Sequence, residues 1–311
     1  AKSQSIVSLL PSLTELVCSL GLEDHLKGRS HECDYPPSIT DRTVLTCPKY
    51  SVIPHQTSSE INEEITQLIQ NALSVYEVDS EQLENLNPEI ILTQDHCKVC
   101  AVSMTDLQQS ALQLLGEETE IISVSPTNLE SIFDSFLLIG KKLGASEKAT
   151  ELVEKIKSRF DEIRNTIHDL PKPEVVAIEW IDPLMTSGNW IPEMIEIAGG
   201  KSNLAVAGEH SGWIEWKEIR KADPDILLIL PCGYSIEKTM VEMNTLEAKP
   251  GWRDLKSVRE NNVFLLDGSH YFNRPGPRIQ DSVEILAQIF HPDFFEREIK
   301  YNAVKHYGTE G

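Results

Sequence analysis

Residues 78–92, VDSEQLENLNPEIIL, recur without a gap as residues 214–228, IEWKEIRKADPDILL, at a constant offset of 136 positions. Leu83 falls on Ile219, Asn87 on Asp223, Pro88 on Pro224 and Glu89 on Asp225, and the apolar triplet 90–92 falls on 226–228. Each copy reads as a short helix, a corner of Pro and an acid, and a strand apolar at every position. Such a strand is buried on both faces. A chain that uses this unit once in each half is expected to form two similar lobes with a cleft between them.

Outward from the repeat, the pattern continues. Residues 6–10 read as a strand, and Ser12 with Glu15 has the spacing of a capping box opening a helix that stops at Gly21. The second half begins alike, with a strand over 175–180, Pro192 at a helix start and Gly199-Gly200 at its end. Strand 121–124 leads through Pro126 and Asn128 into a helix carrying Leu129, Ile132, Phe133, Phe136 and Ile139 on one face. Strand 263–266 leads through GSHYFNRPGPR into a helix over 279–290. This alternation calls for an α/β protein of two Rossmann-like lobes, with mostly parallel sheets covered by helices.

Between the halves, Ala149, Leu152, Val153, Ile156, Phe160, Ile163 and Ile167 recur at helical spacing over 146–168. A helix of that length is about 34 Å long, a stiff connector closed by Pro171 and Pro173. The expected organisation is an N-terminal α/β lobe (1–145), a connecting helix (146–170) and a C-terminal α/β lobe (171–311). The tail after Phe295 is expected to be a surface appendage.

The bulk numbers exclude several classes. With 28 Lys+Arg against 49 Asp+Glu the net charge is −21, which argues against nucleic acid or an anionic membrane as partner. The acidity serves solubility or docking to a basic partner. No run approaches the ~18–20 apolar residues of a membrane span. The opening AKSQSIVSLL carries no export signal, so a cytoplasmic protein is expected, or an exported one if a leader has been removed. Six cysteines, Cys97 and Cys100 as a CxxC and the others scattered, suit free or metal-bound thiols in a reducing compartment better than a disulfide framework.

In open α/β sheets ligands bind beyond the carboxyl ends of the strands. That rule selects Pro11 and Ser12, the loops 30–36 and 93–100, and in the second half 180–190, 208–213, 231–234 and 268–278. His96 coincides with Cys232 under the repeat offset, so most His, Cys, Trp and Tyr fall on one expected surface.

Four segments, SIVSLLPSLTELVCSLGL (5–22), SHECDYPP (30–37), NPEIILTQ (87–94) and VFLLDGSHYFNRPGPR (263–278), resemble the class III periplasmic solute-binding proteins of vitamin B12 and iron-chelate uptake. The signal-less, cobalamin-binding-like branch is the nearest pattern. The resemblance covers nearly the whole chain in order. It implies two α/β lobes joined by one rigid helix, and a non-catalytic receptor that presents a metal-chelate ligand to an ABC permease. Candidate ligands are a cobalamin-like corrinoid, haem or an iron chelate, with zinc as a direct alternative. The chain departs from the transport members in lacking an export signal and in its many cleft thiols.

The expected ligand contacts are Pro11, Ser12, His31, Glu32, Tyr35 and Gln94 in the first lobe. In the second they are Trp180, Trp190, His210, Trp213, Tyr234, His270, Tyr271, Asn273, Arg274 and Arg278. Flat aromatics suit a large ring system better than a naked ion, and the alternative for each is core packing. Packing is the preferred reading for Trp216, and the site for Trp190 and Trp213. Arg274 and Arg278, flanking Pro275-Gly276-Pro277, can fork onto carboxylate or phosphate, or pair with an acidic side chain.

His31, Cys33, His96, Cys97 and Cys100 offer soft N/S donors to a metal, against a surface loop with a labile thiol pair. Cys18 reads as core. No GxSxG, Walker loop, GxGxxG or HExxH pattern is present. Three readings therefore stand: a chelate-binding protein, a cytoplasmic metal-binding or metal-chaperone protein, and a thiol enzyme pairing Cys97 with His31 or His270.

Overall fold

The computed structural model describes residues 4–48, 56–61, 63, 76–94, 119–295 and 303–308. Its contacts divide the chain into two compact units. Unit 1 comprises Ala1–Gln56, Glu63–Pro126 and Glu130–Glu154; unit 2 comprises Thr57–Asn62, Thr127–Leu129 and Lys155–Gly311.

Unit 1 is built on a parallel sheet of β1 (Ile6–Ser8), β2 (Leu26–Arg29), β3 (Thr43–Val44), β6 (Ile90–Gln94) and β7 (Glu120–Val124), in the order β3-β2-β1-β6-β7. A small antiparallel pair joins β4 (Thr46–Pro48) to β5 (Tyr76–Val78). Unit 2 holds β8 (Glu174–Trp180), β10 (Lys201–Ser202), β11 (Ile226–Ile229), β12 (Val263–Leu266) and β13 (Val304–Tyr307), in the order β10-β8-β11-β12-β13. The two-residue β9 (Met185–Thr186) pairs antiparallel with β8. The expectation of an α/β fold on mostly parallel sheets holds.

The repeated stretch is the same local device in each unit. In unit 1, Asp79 caps α2 (Ser80–Leu86) by accepting a bond from the Gln82 N–H. In unit 2 the equivalent Glu215 forms a reciprocal capping box with Glu218 at the start of the corresponding short helix, Trp216–Ala222. Both helices end on a left-handed residue, Asn87 (φ 41°) and Asp223 (φ 43°), followed by proline. Short polar side chains tolerate that conformation, and proline cannot continue the helix. The strands that follow, β6 and β11, run through the middle of their sheets with every residue buried.

Two other helices order as the periodicity predicts. In α3 (Leu129–Lys142) the face of Leu129, Ile132, Phe133, Phe136 and Ile139 is buried. The long α4 (Ser146–Ile167) buries Ala149, Val153, Ile156, Phe160, Ile163 and Ile167. Each such aliphatic or aromatic side chain contributes about 1.5–3 kcal/mol of transfer free energy.

Two local expectations are corrected. Helix α1 (Pro11–Ser19) starts at proline, with Leu10 as N-cap and no side-chain cap bond. The fixed φ and missing N–H of Pro11 set the first turn there, so Ser12 lies inside the helix and the Ser12–Glu15 capping box does not form. The tail is also no appendage. Residues Val304–Tyr307 add an antiparallel strand beside β12, Ala303 is fully buried, and its carbonyl accepts the Asp267 N–H at 3.0 Å.

The rest of unit 2 contains α5 (Ile191–Ile197), α6 (the helix Trp216–Ala222), α7 (Ile236–Glu247), α8 (Lys256–Arg259) and α9 (Ile279–Phe290). No described helix is long and apolar enough to cross a membrane.

Candidate functional site

In unit 1, the residues beyond β1 and β2 form a buried polar cluster. Ser8, Ser12, Thr14, Ser30 and Cys33 are all at most 3% exposed. Thr14 Oγ1 lies 2.9 Å from Ser8 Oγ and 3.1 Å from Cys33 Sγ. Thr46 Oγ1 accepts the His31 backbone N–H at 3.1 Å and lies 2.7 Å from His31 Nδ1 and 3.2 Å from Ser30 Oγ. Burial, partly opposed by Glu32, holds the His31 pKa below its ordinary value. Pro11 is buried at the head of α1, Gln94 is buried at the end of β6, and Glu32 and Tyr35 are exposed.

In unit 2, β8, β11 and β12 lie side by side and parallel, so their carboxyl ends share one edge. Trp180 closes β8, Pro231 to Tyr234 follow β11, and β12 leads into one turn of π-helix, Gly268–Phe272. Asp267 caps that turn, accepting from the N–H groups of Ser269 and His270, and its other oxygen lies 2.7 Å from His270 Nδ1. Burial works against ionisation of Asp267, but the bonds from His270 and Ser269 outweigh it and keep the carboxyl below its usual range. A carboxylate on Nδ1 orients the ring through that nitrogen, as in the carboxylate–histidine pairs that support metal-ligating histidines. The His270 side chain is 38% exposed.

Aromatic groups extend along this edge. The Tyr234 ring meets Trp180 edge to face, with centroids 5.5 Å apart. Trp180 pairs across the sheet with Met185, and Met185 pairs with Trp213 through an isolated antiparallel bridge. The bonds Thr186 N–H to Gly212 O and Ile214 N–H to Leu184 O bracket this second pair. Met185 and Trp213 are therefore a non-hydrogen-bonded pair, whose side chains stand closest. Directly opposed residues share a face, with Cβ atoms about 5 Å apart. Met185 thus links Trp180, across a β-bulge, to Trp213, and we call this run of side chains the ladder; it leads from buried Tyr234 to Trp213, which is 63% exposed. Lys238 lies over the Tyr234 ring with Nζ 3.9 Å from the centroid, and burial lowers its pKa.

Other expected contacts are held elsewhere. Trp190 is 5% exposed and its indole N–H donates to the Phe272 carbonyl at 2.9 Å, bracing the turn from within. Asn273 braces it too, donating to the Leu230 carbonyl at 3.0 Å. Arg278 sits over the Tyr271 ring at 5.0 Å, Tyr271 is 6% exposed, and Arg274 is buried. His210 is exposed on the loop before Trp213, with Nδ1 3.1 Å from the Ser211 carbonyl. Trp216 stacks on Trp252 at 6.1 Å, a packing role as its position in the repeat suggested.

Cys47 is exposed on β4, and burial pushes the Cys18 thiol up to about 12. His96, Cys97 and Cys100 lie outside the described residues. Among the described residues no group of three or more His, Cys, Asp or Glu could hold a metal ion.

Sequence reading missed Met185, Lys238 and Glu242. For Glu242 a signal existed. Thr239, Glu242, Met243 and Leu246 form the buried i, i+3, i+4, i+7 face of α7, and a carboxylate on an apolar face needs partners.

Residues 6–269 match the family described as periplasmic binding protein, and the chain belongs to that family. Its members are solute-binding proteins, not enzymes. It is 25% identical over 302 residues to an uncharacterized ABC transporter substrate-binding lipoprotein, YvrC, of Bacillus subtilis, covering 94% of this chain and 82% of that protein. Over 144 residues it is 24% identical to the high-affinity heme uptake system protein IsdE of Staphylococcus aureus, covering 45% of this chain and 49% of IsdE.

Solved structures share the fold at low identity. A periplasmic heme-binding protein of Pseudomonas aeruginosa superposes with a TM-score of 0.70 at 19% identity, covering 98% of both chains. The vitamin B12 binding protein BtuF of Vibrio cholerae does so with a TM-score of 0.63 at 19% identity, covering 92% of this chain and 96% of BtuF. The expected resemblance therefore holds. The cytoplasmic expectation finds no support in these relatives.

Proposed function

We propose that this protein is the substrate-binding component of an ABC uptake system, acting outside the cytoplasmic membrane, and that its cargo is a flat metal chelate of the haem or corrinoid class. The observation that supports this reading is the ladder of Trp180, Met185 and Trp213. Rigid aromatic rings and a polarisable thioether suit the broad apolar face of a tetrapyrrole. A bare ion would gain nothing from them. His270, fixed by Asp267, is the nitrogen donor expected to reach the metal, and Lys238 supplies positive charge for the carboxylates or phosphate at a chelate's rim. The family membership and the heme- and B12-binding relatives favour the same cargo class.

Titration with haemin and with cyanocobalamin, followed by tryptophan fluorescence, tests the proposal. Saturable quenching at one equivalent by either compound supports it, and His270→Ala should then change the metal's absorption band. Absence of quenching by both, with stoichiometric zinc in the purified protein, would overturn it in favour of direct metal binding.

A further inference from the structure

Glu242 is 5% exposed on α7 and its carboxylate serves two parts of unit 2 at once. One oxygen accepts the Ser58 N–H at 2.7 Å and the Tyr234 hydroxyl at 2.9 Å; the other accepts the Ser58 hydroxyl at 2.5 Å. Ser58 is fully buried, and its Oγ in turn accepts the Asp182 N–H at 3.1 Å. Asp182 is two residues beyond Trp180. Residues 57–61, Ser58 among them, group with unit 2.

We propose that Glu242 is a positioning residue that couples the docking of residues 57–61 to the aromatic ladder, so that the two order together. The inference rests on the reading of the ladder as the cargo surface, and it deepens that reading by naming a regulatory contact behind it. The chemistry is specific to a carboxylate. Three donors converge on two acceptor oxygens, and the single Ser58 hydroxyl proton points at one of them while its oxygen receives Asp182. An amide at position 242 would present a donor where an acceptor is needed, and one buried proton would lose its partner. Through Tyr234 the carboxylate holds the ring against which Trp180 packs. Through Ser58 it holds the turn that leaves Trp180. Loosening the segment therefore loosens both supports of the same indole, and cargo that orders the indole should in return hold the segment down.

The test uses the full chain without cargo and two nuclear magnetic resonance readouts, the Trp180 indole N–H resonance and the exchange rate of the Ser58 amide. Tyr234→Phe keeps the ring and removes only the hydroxyl. It is expected to shift the Trp180 resonance and to speed Ser58 exchange on the order of tenfold, the effect of losing one bond to a buried charge. Glu242→Gln should do both more strongly, and Ser58→Ala should move the Trp180 resonance; if the Gln variant does not fold, the Phe and Ala variants carry the test.

A Trp180 resonance and a Ser58 exchange rate both unchanged in Tyr234→Phe would overturn the coupling. Haemin then separates the two claims. If the wild type binds it, Tyr234→Phe should bind about tenfold more weakly, and equal affinity would sever Glu242 from the ladder. If the wild type takes no haemin, the cargo assignment for haem fails, and the cargo-free readouts still decide the coupling.

Discussion

Replacing Gly268 by alanine should damage unit 2 in a way that can be worked out from its surroundings. Gly268 opens the turn that carries His270. A Cβ built there falls 2.1 Å from the Pro231 carbonyl oxygen and 2.9 Å from the Leu230 oxygen. Those are backbone atoms, and the first contact is short of ordinary van der Waals distance by more than about 1 Å. The backbone of Gly268 is not left-handed, so the obstacle is space alone. Relief requires the loops after β11 and β12 to part. Two bonds at the join would stretch: Tyr234 N–H to Pro231 O and Asn273 Nδ2 to Leu230 O, each 3.0 Å. Overpacking of this kind costs about 1–3 kcal/mol, and two weakened hydrogen bonds add about 1 kcal/mol.

A loss near 3 kcal/mol should lower the unfolding temperature of a unit this size by about 6–12 °C. Gly212 is the control. It has nothing within 4 Å of its would-be Cβ, and Gly212→Ala should stay within about 0.5 kcal/mol of wild type. Calorimetry on both variants decides the matter. A Gly268→Ala protein that melts within about 2 °C of wild type would refute the reasoning.

The remaining expectations concern packing, charge and pH. Trp252→Ala removes a 5% exposed ring stacked on Trp216 and should cost about 3–5 kcal/mol; a denaturant midpoint equal to that of wild type would contradict this. Arg159 bonds Glu284 at 2.7 Å and Glu162 at 2.8 Å while 28% exposed. Arg159→Ala should therefore cost about 1–2 kcal/mol, less in high salt, and a loss insensitive to salt would point to packing of the side-chain stem.

Burial holds the His291 pKa below its ordinary 6.5, partly offset by the Gly199 backbone. The unfolded chain thus binds more protons below about pH 6.5, and stability present above that value is lost as pH falls toward the folded pKa. His31 adds a contribution of the same sign. Urea unfolding at pH 7.5 and 5.5 should show a smaller loss in His291→Leu than in wild type, and equal losses would remove His291 from the account.

What the sequence made legible was local. The repeat's helix, its left-handed cap at Asn87 or Asp223 and its apolar strand are each fixed by neighbours within a few residues. They could be placed before any pairing was known. The pairing itself is not local. Residues 304–307 looked like a tail because nothing nearby in sequence marks their partner, β12, some 40 positions earlier.

Trp190 and Trp213 looked alike for the same reason. One is closed in by Phe272, far along the chain, and the other is held out beside Met185 by a bridge no spacing rule announces. Polar networks are harder still. The Ser12 capping box failed because Pro11 moved the helix start two residues earlier, and the Glu242 cluster joins residues separated by 184 positions.

The central claim is that the Trp180–Met185–Trp213 ladder receives a flat metal chelate. Its most direct test is an absorbance titration of wild type, Trp180→Ala and Trp213→Ala with haemin and cyanocobalamin. The account predicts saturable one-to-one binding of one compound by the wild type with a Kd on the order of 1 μM or tighter, weakened about tenfold or more in each variant. Binding that both variants retain at full strength, or no saturable binding of either compound, would contradict it.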